Sequence, residues 1–246
     1  LFGSLTELLN GKQNSMHQVM SYAWQFPGVY KNDRGERINI SQNGADASLP
    51  YRFLASKGKA QDYVAMQDGI KWTAIRPSAI FGPQDEFFNT FARLVKLTPI
   101  IFPLIGGGKA EFQPVSVFDV AEATVRSIED DNTIGKELVI GGPEVLTLGE
   151  IEKRVIKALD TGRLMVSVPV FLLRPVVAIM ENTLPGSPVS SSLLDLLAVP
   201  NTVPNNALVE EFGMDPIPFK AQHIEYLKNT SAGQALNIFF TGATVN

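Results

Sequence analysis

Residues that could do chemistry concentrate between positions 37 and 83. Ser41 follows a short run of alternating apolar residues, Lys57 lies on a predicted helix, and Pro77 and Ser78 end a second predicted strand. Strand, helix and strand joined by short loops predict a parallel βαβ unit. Because open parallel sheets bind their ligands at the carboxyl ends of the strands, we predict half of a small-molecule site at this place.

The helix of this unit carries Phe53 and Lys57, which are four residues apart and therefore share one helix face. A phenyl ring has no exchangeable proton and cannot act as a general acid or base. Tyr51 lies two residues earlier and points to a different face. Lys57 is either a ligand-binding residue or a solvated surface lysine.

The run from Arg76 to Gly82, with Ser41 and Lys57 before it, resembles the catalytic half of an extended short-chain dehydrogenase/reductase. That family has a Ser near a strand end, Tyr-x-x-x-Lys on the next helix, and Arg-Pro-Ser-x-hydrophobic-Phe/Tyr-Gly after the following strand. Phe53 stands at the Tyr position of this pattern and Tyr51 is a weak substitute for it, so the resemblance implies that this chain has no catalytic residue. The resemblance implies that Lys57 holds the nicotinamide ribose and that Phe53 packs where the Tyr would act. The implied cofactor-binding residues are Ser41, Phe53, Lys57, Pro77, Ser78, Ala79 and Ile80.

Later motifs narrow the resemblance. The stretches 113–121 and 142–151 also resemble the extended family, and in the second of them Thr147 and Glu150 predict a capping box at a helix start. From Gly162 to Val203 the match narrows to an atypical subgroup of the family. The subgroup includes a nucleotide-binding accessory subunit of mitochondrial complex I, and bacterial and plastid NAD(P)-binding proteins share much of it. The resemblance covers roughly residues 1 to 228. Asp119, at the start of a predicted helix, is expected to position that helix rather than to act as a catalytic acid.

The resemblance implies an α/β fold, namely the C-terminal part of a Rossmann-like doubly wound parallel sheet with a small α/β C-terminal extension. Residues 1–160 are predicted to form a partial NAD(P)-binding domain that carries only the later strands. Residues 161–228 are predicted to form a helical and extended region, and residues 229–246 a tail arm. The tail has no charged side chain, which favours docking on a partner.

Composition excludes several classes of protein and site. The 246 residues are 45% hydrophobic and 19% charged, which is typical of a globular protein. A net charge of -4 without a basic run argues against nucleic-acid binding. Without cysteine there is no disulfide or thiolate, and His17 and His223 lack ligand spacing, so no metal site is predicted. The apolar run 164–180 is interrupted by Pro169 and Pro175, so it suits a membrane surface or a partner better than a membrane span.

A phosphate-binding Gly-x-x-Gly-x-x-Gly loop between a strand and a helix does not occur in the sequence. The run Gly106–Gly108 is predicted to be a turn. In a doubly wound sheet the first strands carry the phosphate loop and cover the sheet edge. We therefore expect another chain or segment to complete the Rossmann sheet. The residues that distinguish NAD from NADP would follow the second strand, so the sequence does not choose between them.

Three functions stay open at this point. The resemblance implies a non-catalytic accessory subunit of mitochondrial NADH:ubiquinone oxidoreductase (complex I), peripheral to the inner membrane on its matrix side. Its partners would be other subunits of complex I, and a tightly bound NADPH would have a structural role. An active NAD(P)-dependent oxidoreductase or epimerase would need a substitute for the lost phenol. A nucleotide-sensing or assembly factor would share the fold and differ in its partners.

Overall fold

The computed structural model describes residues 29–31, 37–183, 194, 197, 199–229 and 231–242. Its strands are β1 Val29–Lys31, β2 Arg37–Ile40, β3 Trp72–Pro77, β4 Ile80–Phe81, β5 Ile101–Ile105, β6 Glu111–Phe112, β7 Val115–Ser116, β8 Glu137–Ile140, β9 Leu146–Thr147 and β10 Leu164–Val168. Its α-helices are α1 Arg52–Ala65, α2 Phe87–Leu97, α3 Val117–Glu129, α4 Leu148–Ala158, α5 Val170–Thr183, α6 Ala207–Glu210 and α7 Ala232–Thr241. The predicted α/β class is confirmed.

The contacts between residues divide the chain into two units, each assembled from separate stretches. Unit 1 consists of Leu1–Ile80, Gln113–Glu144 and Asn201–Pro218. Unit 2 consists of Phe81–Phe112, Val145–Pro200 and Phe219–Asn246. The regions predicted from the sequence, 1–160, 161–228 and 229–246, are continuous and divide the chain differently. Those regions stay a prediction.

Unit 1 contains a four-stranded sheet with the order β1-β2-β3-β8. β2, β3 and β8 are parallel, and their register pairs Ile40 with Ile75 and Pro77 with Ile140. β2, α1 and β3 therefore form the predicted parallel βαβ unit. The sequence analysis did not predict β1, which pairs with β2 in the antiparallel direction. An antiparallel edge strand is common on an otherwise parallel sheet.

The core of unit 1 explains why these strands are apolar over nearly their whole length. Thr73, Ala74 and Ile75 are consecutive and all buried, as expected for a parallel strand that is covered on both faces. The hydroxyl of Thr73 donates a hydrogen bond of 2.9 Å to the carbonyl of Thr133, so it is buried with a partner. The core cluster combines residues of the strands, α3 and α6: Ile38, Ile40, Ile75, Val115, Val120, Ala123, Leu138, Ile140, Ala207 and Leu208.

The start of α3 behaves as the sequence analysis predicts. The Ser116 hydroxyl accepts a hydrogen bond from the Phe118 N–H and thereby caps the helix. Asp119 lies in the first turn, is buried, and accepts a bond of 2.8 Å from the Ile217 N–H. A carboxylate near a helix N-terminus is also favoured by the helix dipole. The predicted place of Asp119 at the start of a helix is confirmed, and its positioning role stays a prediction.

Unit 2 is organised around an aromatic cluster. Phe88 is fully buried and its ring centroid lies 4.6 Å from that of Phe219 and 5.0 Å from that of Phe87. α2, which carries Phe87 and Phe88, packs against α4. The first turn of α4 is held by the predicted capping box, in which Thr147 and Glu150 each accept a bond from the other's backbone N–H.

Asp85 fastens the start of α2 to the C-terminal part of unit 2. Its buried carboxylate accepts hydrogen bonds from the N–H groups of Phe88 (2.6 Å) and Asn89 (3.0 Å), which belong to the first turn of α2. The Gly82 N–H donates a third bond of 3.2 Å, and the Tyr226 hydroxyl donates a fourth of 2.6 Å. Burial raises the pKa of Asp85 to about 6, and these hydrogen bonds oppose the rise. The carboxylate thus caps a helix and anchors a segment 141 residues further along the chain.

The tail differs from the predicted arm over residues 231–242. It forms α7, which begins with a capping box between Ser231 and Gln234 and ends at Gly242 with a φ of 69°. α7 packs against α2 of the same unit and buries Ala235. The capping box is a local signal for a helix start, and the sequence analysis overlooked it. Docking of the tail on a partner stays a prediction.

The apolar run 164–180 forms β10 and most of α5. β10 pairs in parallel with β5, with Val166 opposite Pro103. α5 contains Pro175 within the helix. Among the helices that the structure describes, none combines the length and the apolar character needed to cross a bilayer.

Glu152 on α4 is 1% exposed, and neither of its carboxylate oxygens has a hydrogen-bond partner among the described residues. Burial raises its pKa from 4.5 to about 8. The unfolded chain therefore releases this proton near pH 4.5, whereas the folded protein holds it until about pH 8. Since the folded state binds more protons over that interval, the free energy of unfolding falls as the pH rises through it.

We expect Glu152→Gln to stabilise the protein at pH 8 and to change little at pH 4, because the amide stays neutral in both states. From the pKa difference, the gain at pH 8 should be on the order of 4 kcal/mol. Urea unfolding of wild type and variant between pH 4 and pH 8 measures it. The control is Glu129→Gln, at an exposed position of α3. A difference that does not change with pH would contradict the prediction.

Candidate functional site

The ends of three adjacent parallel strands form one edge of the sheet in unit 1. Ser41 follows β2, Ser78 follows β3 and Gly141 follows β8. The backbone ladder continues past the strands, since the Ser41 N–H bonds to Ile75 O at 2.8 Å and the Ser78 N–H bonds to Ile140 O at 2.9 Å. The predicted positions of Ser41 and Ser78 at neighbouring strand ends are thereby confirmed.

Phe53 and Lys57 lie in the first two turns of α1, which follows β2 in the chain. The Lys57 ammonium is 5.9 Å from the centroid of the Phe53 ring, so the two side chains share one helix face as predicted. A cation at this distance from a ring face is attracted by it. Burial lowers the pKa of Lys57. Phe53 is 39% exposed. The pair offers a cation and an apolar surface, but no group that can transfer a proton at the Phe53 position.

The loop between β2 and α1 is held against the helix at Gly58. A Cβ atom at Gly58 would lie 2.3 Å from the backbone nitrogen of Ala47, so only glycine fits. Within this loop, the Asp46 carboxylate accepts bonds from both the N–H and the hydroxyl of Ser48. Hydrogen bonds from Ser48 lower the pKa of Asp46. The close approach fixes the path of the chain from Ser41 to the helix that carries Lys57.

Ser41 is 3% exposed, and its hydroxyl has no hydrogen-bond partner among the described residues. The same is true of the amide nitrogen of Asn39, which lies on the same face of β2 because it is two residues away. Ile38 and Ile40, on the opposite face, belong to the apolar core. A buried polar group without a partner is destabilising, so this face suits a water molecule or a polar ligand group.

Ser78 differs from Ser41, because the structure already gives its hydroxyl a partner. The fully buried hydroxyl donates to Asn201, whose carbonyl oxygen lies 2.9 Å away and whose side-chain oxygen is also within bonding distance. The Pro77 carbonyl accepts a bond from the Asn43 N–H, and the Ala79 carbonyl accepts one from the Val115 N–H. Most polar atoms of residues 77–80 are therefore used within the protein. Their predicted role in lining a cofactor stays a prediction.

Residues 201–206, which we call the strap, hydrogen-bond to the chain just past each of the three parallel strands. After β2, the Asn43 side chain donates a bond of 2.9 Å to Thr202 O. After β3, Ser78 donates to Asn201. After β8, the Asn206 amide accepts from the Gly141 N–H at 3.2 Å and donates to the Gly141 carbonyl at 2.6 Å.

Gln113 holds the strap at its middle. Its side-chain oxygen accepts a bond of 2.8 Å from the Val203 N–H, and its side-chain nitrogen donates a bond of 2.8 Å to Gly142 O. Its own N–H donates to Asn201 O at 3.0 Å. The sequence analysis did not identify Asn201, Gln113 or Asn206 as site residues. The only local signal is the density of amide side chains and turn-forming residues between Asn201 and Asn206.

Arg76, which directly precedes Pro77 and Ser78, makes contacts that stabilise the fold. Its Nη1 forms an ion pair with Glu137 at 2.5 Å, and its Nη2 donates a bond of 2.8 Å to Ala45 O. It joins β3 to the neighbouring strand β8 and to the loop after β2. The Arg of the Arg-Pro-Ser run is thereby occupied by structural contacts.

No family model matches the chain. Among curated proteins, subunit 9 of the NADH dehydrogenase [ubiquinone] 1 alpha subcomplex, mitochondrial, from Arabidopsis thaliana is 31% identical over 202 residues, which are 77% of this chain and 49% of that protein. The mitochondrial NADH-ubiquinone oxidoreductase 40 kDa subunit of Neurospora crassa is 27% identical over 156 residues, 63% of this chain and 40% of that protein. The chain thus spans about half the length, or less, of these relatives.

Solved structures agree with the predicted fold. A UDP-glucose 4-epimerase of Thermus thermophilus, in complex with NAD, superimposes with a TM-score of 0.54 at 17% identity. The match covers 88% of this chain and 67% of the epimerase chain. At this identity the similarity is one of fold, and it confirms the Rossmann-like class predicted from the sequence.

We expect Asn201→Ala to lower the free energy of unfolding by about 1–2 kcal/mol, because it removes one acceptor from the buried Ser78 hydroxyl. Urea unfolding measures the loss. Asn205→Ala, at an exposed position of the same strap, is the matched control and should change stability little. In a double-mutant cycle with Ser78→Ala the two effects should couple by at least about 0.5 kcal/mol. Strict additivity would contradict the prediction.

Proposed function

We propose that the chain, which belongs to the family of complex I alpha subcomplex subunit 9, is a non-catalytic accessory subunit of mitochondrial NADH:ubiquinone oxidoreductase. The similarity to the Arabidopsis subunit, 31% identity over 77% of the chain, carries the proposal. A relative from a fungus, the 40 kDa subunit of the same enzyme, supports it independently. Because the chain spans about half of these relatives, the role of the whole protein is part of the proposal.

The absence of catalysis is supported by the chemistry of α1. Phe53 occupies the position at which the family resemblance places the catalytic Tyr, and its ring has no proton to transfer. Lys57 is close enough to interact with that ring, at 5.9 Å from its centroid. In the proposed role, Lys57 would keep the ribose-binding function of the Tyr-x-x-x-Lys arrangement, and the proton donor of its Tyr would be absent.

We further propose that the strand-end edge holds the nicotinamide-ribose end of a bound NADPH with a structural role. A nicotinamide cofactor supplies hydride chemistry to enzymes that turn it over. The chain's own residues would bind it: Lys57 at the ribose hydroxyls, and Ser41 through a hydroxyl that lacks a protein partner. Phe53 would give an apolar wall, and the backbone of residues 77–80 would line the nicotinamide side.

The proposal also includes a location and partners. Like the relatives named as mitochondrial subunits, the protein would lie in mitochondria, peripheral to the inner membrane on its matrix side. Other subunits of complex I would be its partners. A chain or segment that extends the parallel sheet beyond β2 is part of the same proposal, since among the described residues Val29–Lys31 alone pair with β2 on that side.

The accessory role predicts that the protein migrates with NADH:quinone activity when a gently solubilised native membrane extract is separated by size. The expected result is one large species that carries both the chain and the activity. A small soluble species without that activity would overturn the proposal. Turnover of NADPH by the purified protein would overturn its non-catalytic part.

We expect Lys57→Met to weaken NADPH binding about tenfold or more, because a charge-assisted hydrogen bond to the ribose is worth roughly 1.5–3 kcal/mol. Fluorescence titration of bound NADPH in the native assembly measures it. Lys59→Met, two residues along α1 at an exposed position, is the matched control and should leave the affinity unchanged. An equal effect of both substitutions would argue against a ribose contact.

A further inference from the structure

An open cleft of about 630 Å³ lies in unit 2, at the C-terminal end of α4. None of its residues belongs to the strand-end edge of unit 1. It has a cationic wall and an apolar floor. Its lining residues are Lys153, Ile156, Lys157, Asp160, Thr161, Gly162, Arg163 and Met165.

The residues that line the cleft carry more positive than negative charges. Lys153, Lys157 and Arg163 are cations, and Asp160 is the one anion among the lining residues. The Asp160 carboxylate is paired with the Lys228 ammonium at 2.6 Å, which adds a further cation. Neither Lys153 nor Lys157 forms an ion pair with another described residue. Since they are four residues apart, both project from one face of α4.

Arg163 contributes a positive charge that is held in place. Its Nε and Nη2 donate to the carbonyl oxygens of Thr98 and Val95 at 2.5 and 3.0 Å, and Nη1 donates to the Gly162 carbonyl at 2.7 Å and to the Thr161 hydroxyl. All these acceptors are neutral. The guanidinium therefore hydrogen-bonds to the C-terminal end of α2, and no carboxylate among these acceptors neutralises it. The wall of the cleft stays electropositive.

The floor of the cleft is apolar. Ile156 and Met165 line it. Leu164 and Val166, the neighbours of Met165 in β10, point to the opposite face of the strand and do not line the cleft. A ligand that enters the cleft therefore meets cations on α4 and the apolar side chains of Ile156 and Met165.

We propose that this cleft docks an acidic, partly apolar segment of a protein partner. Its carboxylates would pair with Lys153 and Lys157, and its apolar side chains would pack on Ile156 and Met165. Charge complementarity and an adjacent apolar floor are what such a segment requires. The open shape and the flexible lysines suit a peptide better than an enclosed small molecule. The inference does not depend on the proposed role in complex I.

The test uses the full chain and a fluorescein-labelled peptide of alternating Glu and Leu, with the Gln-Leu peptide of the same length as the neutral probe. Fluorescence anisotropy should show binding of the acidic peptide, with an affinity that falls as salt rises. The double variant Lys153→Glu/Lys157→Glu should weaken it at least tenfold. Both side chains are exposed, and thermal unfolding monitored by circular dichroism checks that the variant is folded.

The matched control is Lys109→Glu/Lys220→Glu, which changes the net charge equally at exposed positions of unit 2 outside the cleft. The control should bind the acidic peptide as the wild type does. Equal loss in both double variants, or equal binding of the Gln-Leu peptide, would overturn the proposal. Complete displacement of the peptide by millimolar inorganic phosphate would assign the cleft to a phosphate group instead. Lysine-dependent binding to phosphatidylglycerol vesicles without binding to the peptide would assign it to a membrane surface.

Discussion

The hydrogen bonds at the carboxyl ends of β2, β3 and β8 are the constraint on which unit 1 depends. Parallel strands that end together leave backbone groups and loop side chains at one edge, and buried groups of this kind must find partners. The strap provides them, since one stretch of six residues bonds to Asn43, Ser78 and Gly141 in turn. At the same time it determines what is left for a ligand. The Ser78 hydroxyl has its partner in Asn201, whereas the hydroxyl of the neighbouring Ser41 is buried without a partner among the described residues.

The sequence predicted well those features that are set by neighbours in the chain. Spacings of four residues or fewer predicted the shared helix face of Phe53 and Lys57, the capping box at Thr147 and the place of Asp119 at a helix start. Alternation within each strand contributed to the prediction of the βαβ unit. The strap could not be predicted in this way, because Ser78 and Asn201 are separated by 123 residues and nothing local marks them as partners. The same holds for Asp85 and Tyr226 in unit 2. The antiparallel strand β1 was missed because three residues are too few for a periodic signal.

The two buried carboxylates of unit 2 show how environment sets the behaviour of a side chain. Asp85 accepts bonds from three backbone N–H groups and a phenol, and these interactions limit the rise of its pKa to about 6. Glu152 lacks partners among the described residues, and its pKa rises to about 8. Desolvation acts on both, so the difference comes from hydrogen bonding to the charged form. Glu152 carried no sequence signal for burial, because a Glu in an amphipathic helix is ordinarily on its exposed face.

Under the proposed function, Phe53 is the residue that separates a structural role from an enzymatic one. The Tyr of the family pattern acts through its hydroxyl, and a Phe at that position would keep the ring and remove only the proton donor. The structure places the Lys57 cation beside the Phe53 ring and brings three strand ends to one edge of the sheet. Neither feature depends on a phenol hydroxyl. The proposal of binding without turnover therefore depends on position 53 more than on the sheet around it.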